Sequence, residues 1–182
     1  MSNQPRVAKV LAALLVSMTT GAIVLMALGN NAPSEGPFCL SSYYHLDPVE
    51  KAVASRAIQT PRRWNTIEIF YSGTNSGDLE KLARMANLSS AHDINCHFVI
   101  SNGCDSVDGL IQHTEKWNRQ FSAIPAADWY GSPRTIRICL IADGKNTFPT
   151  ECQIRRVEAL VEALYRKFNI NPESIYYPGN WR

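Results

Sequence analysis

The sequence predicts an α/β domain with a mixed central β-sheet flanked by helices, preceded by one N-terminal transmembrane helix. Three observations predict this: an uncharged apolar run from Val10 to Leu28, strand-like segments alternating with helical ones after it, and one long amphipathic helix near the C-terminus.

The run VLAALLVSMTTGAIVLMAL holds 19 residues without a charge. That is enough for a helix to cross a hydrocarbon core about 30 Å thick. It has no polar face at helical period, so a buried core helix fits it poorly. Arg6 and Lys9 precede it and the next basic residue is Lys51. The positive-inside bias therefore places the N-terminus in the cytoplasm and the domain on the extracytoplasmic side. The competing reading is a cleavable signal peptide, because Ala27-Leu28-Gly29 resembles a small-x-small cleavage pattern; the domain would then be exported. The run exceeds the roughly 7 to 15 residues of a signal core, which favours an uncleaved anchor. The predicted organisation is residues 1–9 as a cytoplasmic segment, 10–29 as anchor, 30–37 as linker (NNAPSEGP, rich in turn formers) and 38–182 as one folded domain.

Within that domain a short helix is predicted between Asp47 and Gln59, closed at Thr60-Pro61 because a residue before proline disfavours helix. Thr66 to Tyr71 (TIEIFY) alternates and is β-branched and aromatic, which predicts the first core strand. A helix follows from Asp78 to Leu88, with Leu79, Leu82, Ala83 and Ala86 at helical spacing and Ser76 or Asp78 as its cap. Cys96 to Ser101 and Thr135 to Ile141 read as strands, with a weaker one near Leu110-Ile111 after the Asn102-Gly103 turn. Thr150 and Gln153 form a capping box. Behind it, Ile154, Val157, Leu160, Val161, Leu164 and Phe168 make one apolar stripe ending before Asn171-Pro172.

A formal charge of +2 gives no clustered basic surface, so no nucleic-acid partner is expected. Five cysteines (Cys39, Cys96, Cys104, Cys139, Cys152) contain no CxxC pair, which argues against a metal finger. Outside the cytoplasm one or two disulfides are open to them, with Cys96 and Cys104 the nearest pair; five separate thiols is the equal alternative. His45, His92, His97 and His113 include no i, i+4 pair, and neither His92 with His97 nor Cys139 or Cys152 with His113 makes a convincing site. GxSxG, P-loop and GxGxxG patterns are absent from the sequence.

The ordered segments RRWNTIEIFYSGT, DINCHFVISNG, DGLIQ, KWNRQ, TIRICLIAD, FPTECQ and INPESIYYPG resemble the type 2 N-acetylmuramoyl-L-alanine amidases and the related peptidoglycan recognition proteins, from Arg62 to Gly179. In active members, the resemblance implies, a Zn²⁺ on three protein ligands activates a water that hydrolyses the lactyl-L-alanine amide of peptidoglycan. Such chemistry needs lone-pair donors converging on the metal and one open position. At the family's first ligand position, a histidine ending the first strand, this chain has Phe70. At the second, after the strand that follows the long helix, it has Tyr177, and the third falls beyond Arg182. The catalysis-assisting tyrosine corresponds to Cys96, an accessory histidine to Pro125, and a small glycine of the cleft strand to Arg137; His97 persists but is not a ligand in the family.

The resemblance therefore implies an inactive amidase-like domain, with no catalytic residues, no metal and no cofactor, although active relatives use zinc. Its expected partners are the membrane and peptidoglycan or a muropeptide, or a protein. Trp117, Arg119, Trp129, Tyr130 and Arg134 border the family's groove and are the candidate binding residues, aromatics stacking on sugars and arginines pairing carboxylates. The alternatives are a working zinc amidase whose metal site lies elsewhere and a structural scaffold of a membrane complex.

Overall fold

The chain divides into two units, Met1–Gly36 and Pro37–Arg182. The computed structural model describes residues 4–29, 46–60, 62–125, 129–179 and 181, and along the first helix the side chains of residues 8–20. The predicted linker, the domain start at Phe38, and Cys39 and His45 lie outside the described residues.

The first unit contains helix α1, Gln4–Gly29, which takes in the whole apolar run. Its side chains from 8 to 20 are exposed. Ser17 and Thr20 donate their hydroxyls to the carbonyls of Leu14 and Val16 at 3.0 and 2.7 Å, so these polar groups are satisfied by the helix itself. Among the described residues, no helix is long and apolar enough to cross a membrane.

The second unit is built on a five-stranded sheet of order β3-β2-β4-β1-β5. The strands are β1 (Thr66–Tyr71), β2 (Phe98–Ile100), β3 (Ile111–His113), β4 (Thr135–Leu140) and β5 (Ile175–Tyr176). All neighbours run parallel except β2 and β3, so the predicted mixed sheet is observed. All six residues of β4 are buried, as a central strand covered on both faces requires. The helices are α2 (Val49–Val53), α3 (Leu79–Met85), α4 (Glu115–Asn118) and α5 (Glu151–Phe168). Each predicted helix is present but α2 and α3 are shorter than expected. Asp78, not Ser76, caps α3 by accepting the Lys81 amide at 2.8 Å.

Alternation in β1 assigns the two faces of the sheet. Ile67 and Ile69 join Ile136, Ile138, Leu160 and Leu164 in the main core under α5, while Phe70 packs on the opposite face near Cys96, Val99 and Cys139. Each fully buried Ile or Leu contributes about 1.5–3 kcal/mol. The stripe on α5 is buried at Val157, Leu160, Val161, Leu164 and Phe168; Ile154 is only half-buried. Asn169 ends the helix in the left-handed conformation, φ 54°.

Two of the quoted segments have clear structural reasons. Gln153 is fully buried: its Oε1 accepts the Thr150 amide at 3.0 Å, and its Nε2 donates to the carbonyls of Ile100 at 2.9 Å and Ile141 at 3.3 Å. The capping box thus also latches α5 to the ends of β2 and β4. Gly109 sits at φ +75°, and a Cβ there would fall 2.5 Å from the Cys152 sulfur and 2.9 Å from Arg156 Cγ.

Candidate functional site

The face of the sheet away from α5 carries the candidate site. Parallel register places Glu68 beside Arg137 and Phe70 beside Cys139. Arg137 does not protrude into solvent: its side chain is 8% exposed. Its Nε donates to Glu68 at 2.7 Å, Nη1 donates to the Asn95 carbonyl at 2.5 Å, and its guanidinium lies 4.2 Å from the Phe70 ring centroid and 5.5 Å from that of Trp129. An ion pair, a carbonyl and two aromatic faces thus hold one cation across the sheet.

Beside this cation lies a pocket of about 620 Å³ whose walls include Phe70, Leu82, Met85, Cys96, Arg137 and Cys139. Phe70 and Cys96 therefore meet. Tyr177, expected from the resemblance to lie beside them, does not line this pocket: β5 ends at Tyr176, and Tyr177 leaves the sheet half-exposed to pack against Trp181 at 5.1 Å. A second hollow of about 340 Å³ opens at the start of β1 and β4, bordered by Glu68, Trp129, Tyr130, Ser132 and Tyr176.

The candidate binding residues separate accordingly. Trp129 and Tyr130 come together around the second hollow. Arg134 is exposed and Arg119 pairs with Glu115 at 2.7 Å, 62% exposed; neither borders either hollow. Trp117 is a correction: it is wholly buried among Trp64, Phe98 and Phe168, with its indole N–H shared between the Val53 and Ala54 carbonyls at 3.3 and 3.2 Å, so no ring face reaches a ligand. Sequence reasoning missed Glu68 and Tyr176. Their partnership rests on the β1–β5 register, Glu68 opposite Tyr176, which no local pattern announces.

The Cys96–Cys104 disulfide is not formed. Cys96, Cys104, Cys139 and Cys152 are free thiols; Cys104 is exposed, while Cys96 and Cys139 are buried in one cluster. The neighbouring Cys139 thiol, then burial, raises the Cys96 pKa well above the usual thiol range. His97 has a structural task. Its Nδ1 accepts the Arg137 backbone N–H at 2.9 Å, which leaves Nε2–H to donate to the Phe121 carbonyl at 2.9 Å. Burial pushes its pKa down to about 4. His92 and His113 are exposed and join no such cluster.

The residues around Phe70 do not fit zinc at the position the resemblance implies. The phenyl ring of Phe70 has no lone pair to give, and the Arg137 guanidinium fills the space over it. Among the described residues no three His, Cys, Asp or Glu side chains group to hold a metal.

A sequence profile of the N-acetylmuramoyl-L-alanine amidase family (Amidase_2) matches residues 59–178. The chain belongs to this family. The matched segment of this amidase-family chain takes in all five strands of the sheet and α3 to α5. Similar solved structures include the endolysin N-acetylmuramoyl-L-alanine amidase LysCS from Clostridium intestinale, at 20% identity over 68% of this chain and 75% of that one, TM-score 0.46. The amidase AmiD from E. coli, solved with anhydro-N-acetylmuramic acid-L-Ala-D-γ-Glu-L-Lys, matches at 18% identity over 65% of this chain and 49% of its own, TM-score 0.44. The peptidoglycan recognition protein PGRP-Hd from Alvinella pompejana matches at 13% identity over 74% and 87%, TM-score 0.42. No curated protein sequence matches the amidase-family chain significantly.

Proposed function

We propose that this domain is a catalytically inactive member of the amidase family, held in the cell envelope by α1 with the domain on the extracytoplasmic side, and that its cleft binds a peptidoglycan fragment without cleaving it. The observation that carries the loss of hydrolysis is the Arg137 guanidinium, paired with Glu68 and stacked over Phe70 where the family places its first zinc ligand. A metal-activated water needs a cation held by lone pairs, and the ring of Phe70 offers none beside the Arg137 guanidinium. Binding is supported by Trp129, Tyr130 and Tyr176 around one hollow, aromatic surfaces suited to sugar faces, with Ser132 and Glu68 as hydrogen-bonding groups. Anchoring is supported by the apolar run with basic residues on its N-terminal side and by its self-satisfied hydroxyls.

The test uses residues 37–182, the compact unit. Incubated with zinc and muropeptides, it should hold no stoichiometric zinc and release no stem peptide, yet be retained on purified sacculi, with retention reduced in W129A. Stoichiometric zinc accompanied by release of stem peptide would overturn the inactive reading. Failure to be retained on sacculi would overturn the binding reading and leave a scaffold role.

A further inference from the structure

We propose that Cys96 and Cys139, with Met85 at the rim, form a binding site for a soft monovalent d¹⁰ cation such as Cu(I). The inference is independent of whether the cleft binds peptidoglycan.

The two thiols come from different parts of the sheet. Cys96 precedes β2, and Cys139 lies in β4 opposite Val99. They are 1% and 4% exposed and belong to one buried cluster on this face of the sheet. Both line the 620 Å³ pocket, so a small ion entering that pocket reaches both sulfurs. Met85 stands on the same wall, half-exposed, and adds a thioether. Among the described residues, no carboxylate or imidazole lines this pocket.

That donor set selects the ion. Hard cations want oxygen ligands, and zinc wants four donors, commonly with imidazole or carboxylate among them. Thiolate and thioether sulfur favour Cu(I), a low-coordinate d¹⁰ ion satisfied by two or three sulfurs. Binding balances as M⁺ + 2 RSH → M(SR)₂⁻ + 2 H⁺, with no redox step. The anionic product forms beside the Arg137 guanidinium, whose field favours negative charge on Cys96. Because the thiols give up two protons on binding, uptake strengthens with rising pH.

The experiment takes the full chain in detergent, reduced, with Cu(I) supplied as its bicinchoninate complex. One equivalent should be extracted, with sulfur-only coordination by X-ray absorption. C96A and C139A should each lose the site, M85L should weaken it, and C104A and C152A should keep it. Because a buried variant can fail to fold, a second readout uses the wild-type chain labelled at cysteine ¹³Cβ. Two of the five cysteine resonances should shift with copper, and those assigned to Cys39, Cys104 and Cys152 through their own variants should not. Copper retained by both C96A and C139A, shifts confined to the other cysteines, nitrogen or oxygen coordination, or no extraction at all would each overturn the proposal.

Discussion

Arg137 and Phe70 form the central contact of the cleft: the guanidinium lies 4.2 Å from the ring centroid while its Nε donates to Glu68 at 2.7 Å. The cation joins adjacent strands, which makes it a structural part of this sheet. Replacing it with alanine leaves Glu68, 28% exposed, without its partner and the Asn95 carbonyl without a donor. R137A should lower stability by about 1–3 kcal/mol, read as a shift in the urea midpoint. Binding of zinc should not appear in R137A, because Phe70 still supplies no donor.

His97 makes stability depend on pH. Its folded pKa, about 4, lies below the ordinary value of 6.5. The unfolded state therefore takes up a proton first as pH falls, and the folded state must hold the ring neutral to keep the Arg137 N–H bond. Its contribution is fully present above pH 6.5 and is lost progressively between pH 6.5 and about 4. The gap corresponds to about 3 kcal/mol. Urea midpoints from pH 7.5 to 4 should fall along this window, and H97N, which keeps an acceptor near Nδ1 but cannot titrate, should flatten the slope while being less stable at pH 7.5.

Gln153 offers a cleaner distinction between capping and latching. Q153E keeps the acceptor for the Thr150 amide but removes the donor and turns a carboxylate toward the carbonyls of Ile100 and Ile141. A pure cap would tolerate this change. The buried latch should not, and we expect a loss above about 3 kcal/mol, larger than the roughly 0.5–2 kcal/mol of losing a helix cap. Q153A should fall between the two.

At Gly109, alanine meets both a left-handed backbone and a sulfur 2.5 Å from its Cβ. Arg156 Nε donates to the Gly109 carbonyl at 3.1 Å, so a shift there also disturbs α5. G109A should destabilise by about 2–4 kcal/mol, seen as a lower melting temperature, while alanine at the open Gly73 should cost only its backbone strain, about 1–2 kcal/mol.

Much of the fold was legible locally, and for a physical reason. The β1 segment TIEIFY alternates because one face meets α5 and the other the cleft, and the α5 stripe repeats at helical period because a single face is buried. Periods of that kind are written in neighbouring residues. The short elements were less legible: β5 has two residues and α4 four, too few to show a period. KWNRQ illustrates the limit. Trp117 looked like a groove residue, but Gln120 donates to the Trp117 carbonyl and accepts from the buried Trp64 indole at 2.8 Å, which makes the segment part of the core. Aromatic side chains suit cores and binding surfaces alike, so position alone decides between them.

By itself the sequence determined the α/β order of elements, the helix cap at Thr150, the family resemblance and the apolar ring of Phe70 on the first core strand. Only the tertiary structure decided what occupies that place, because Glu68, Asn95, Trp129 and Arg137 come from separate segments and meet through parallel register. It likewise decided that Cys96 faces Cys139 and not Cys104, and that Tyr177 leaves the pocket that Phe70 enters. Contacts between residues distant in the chain depend on register and on the direction each side chain leaves its strand. A single sequence carries no local record of either.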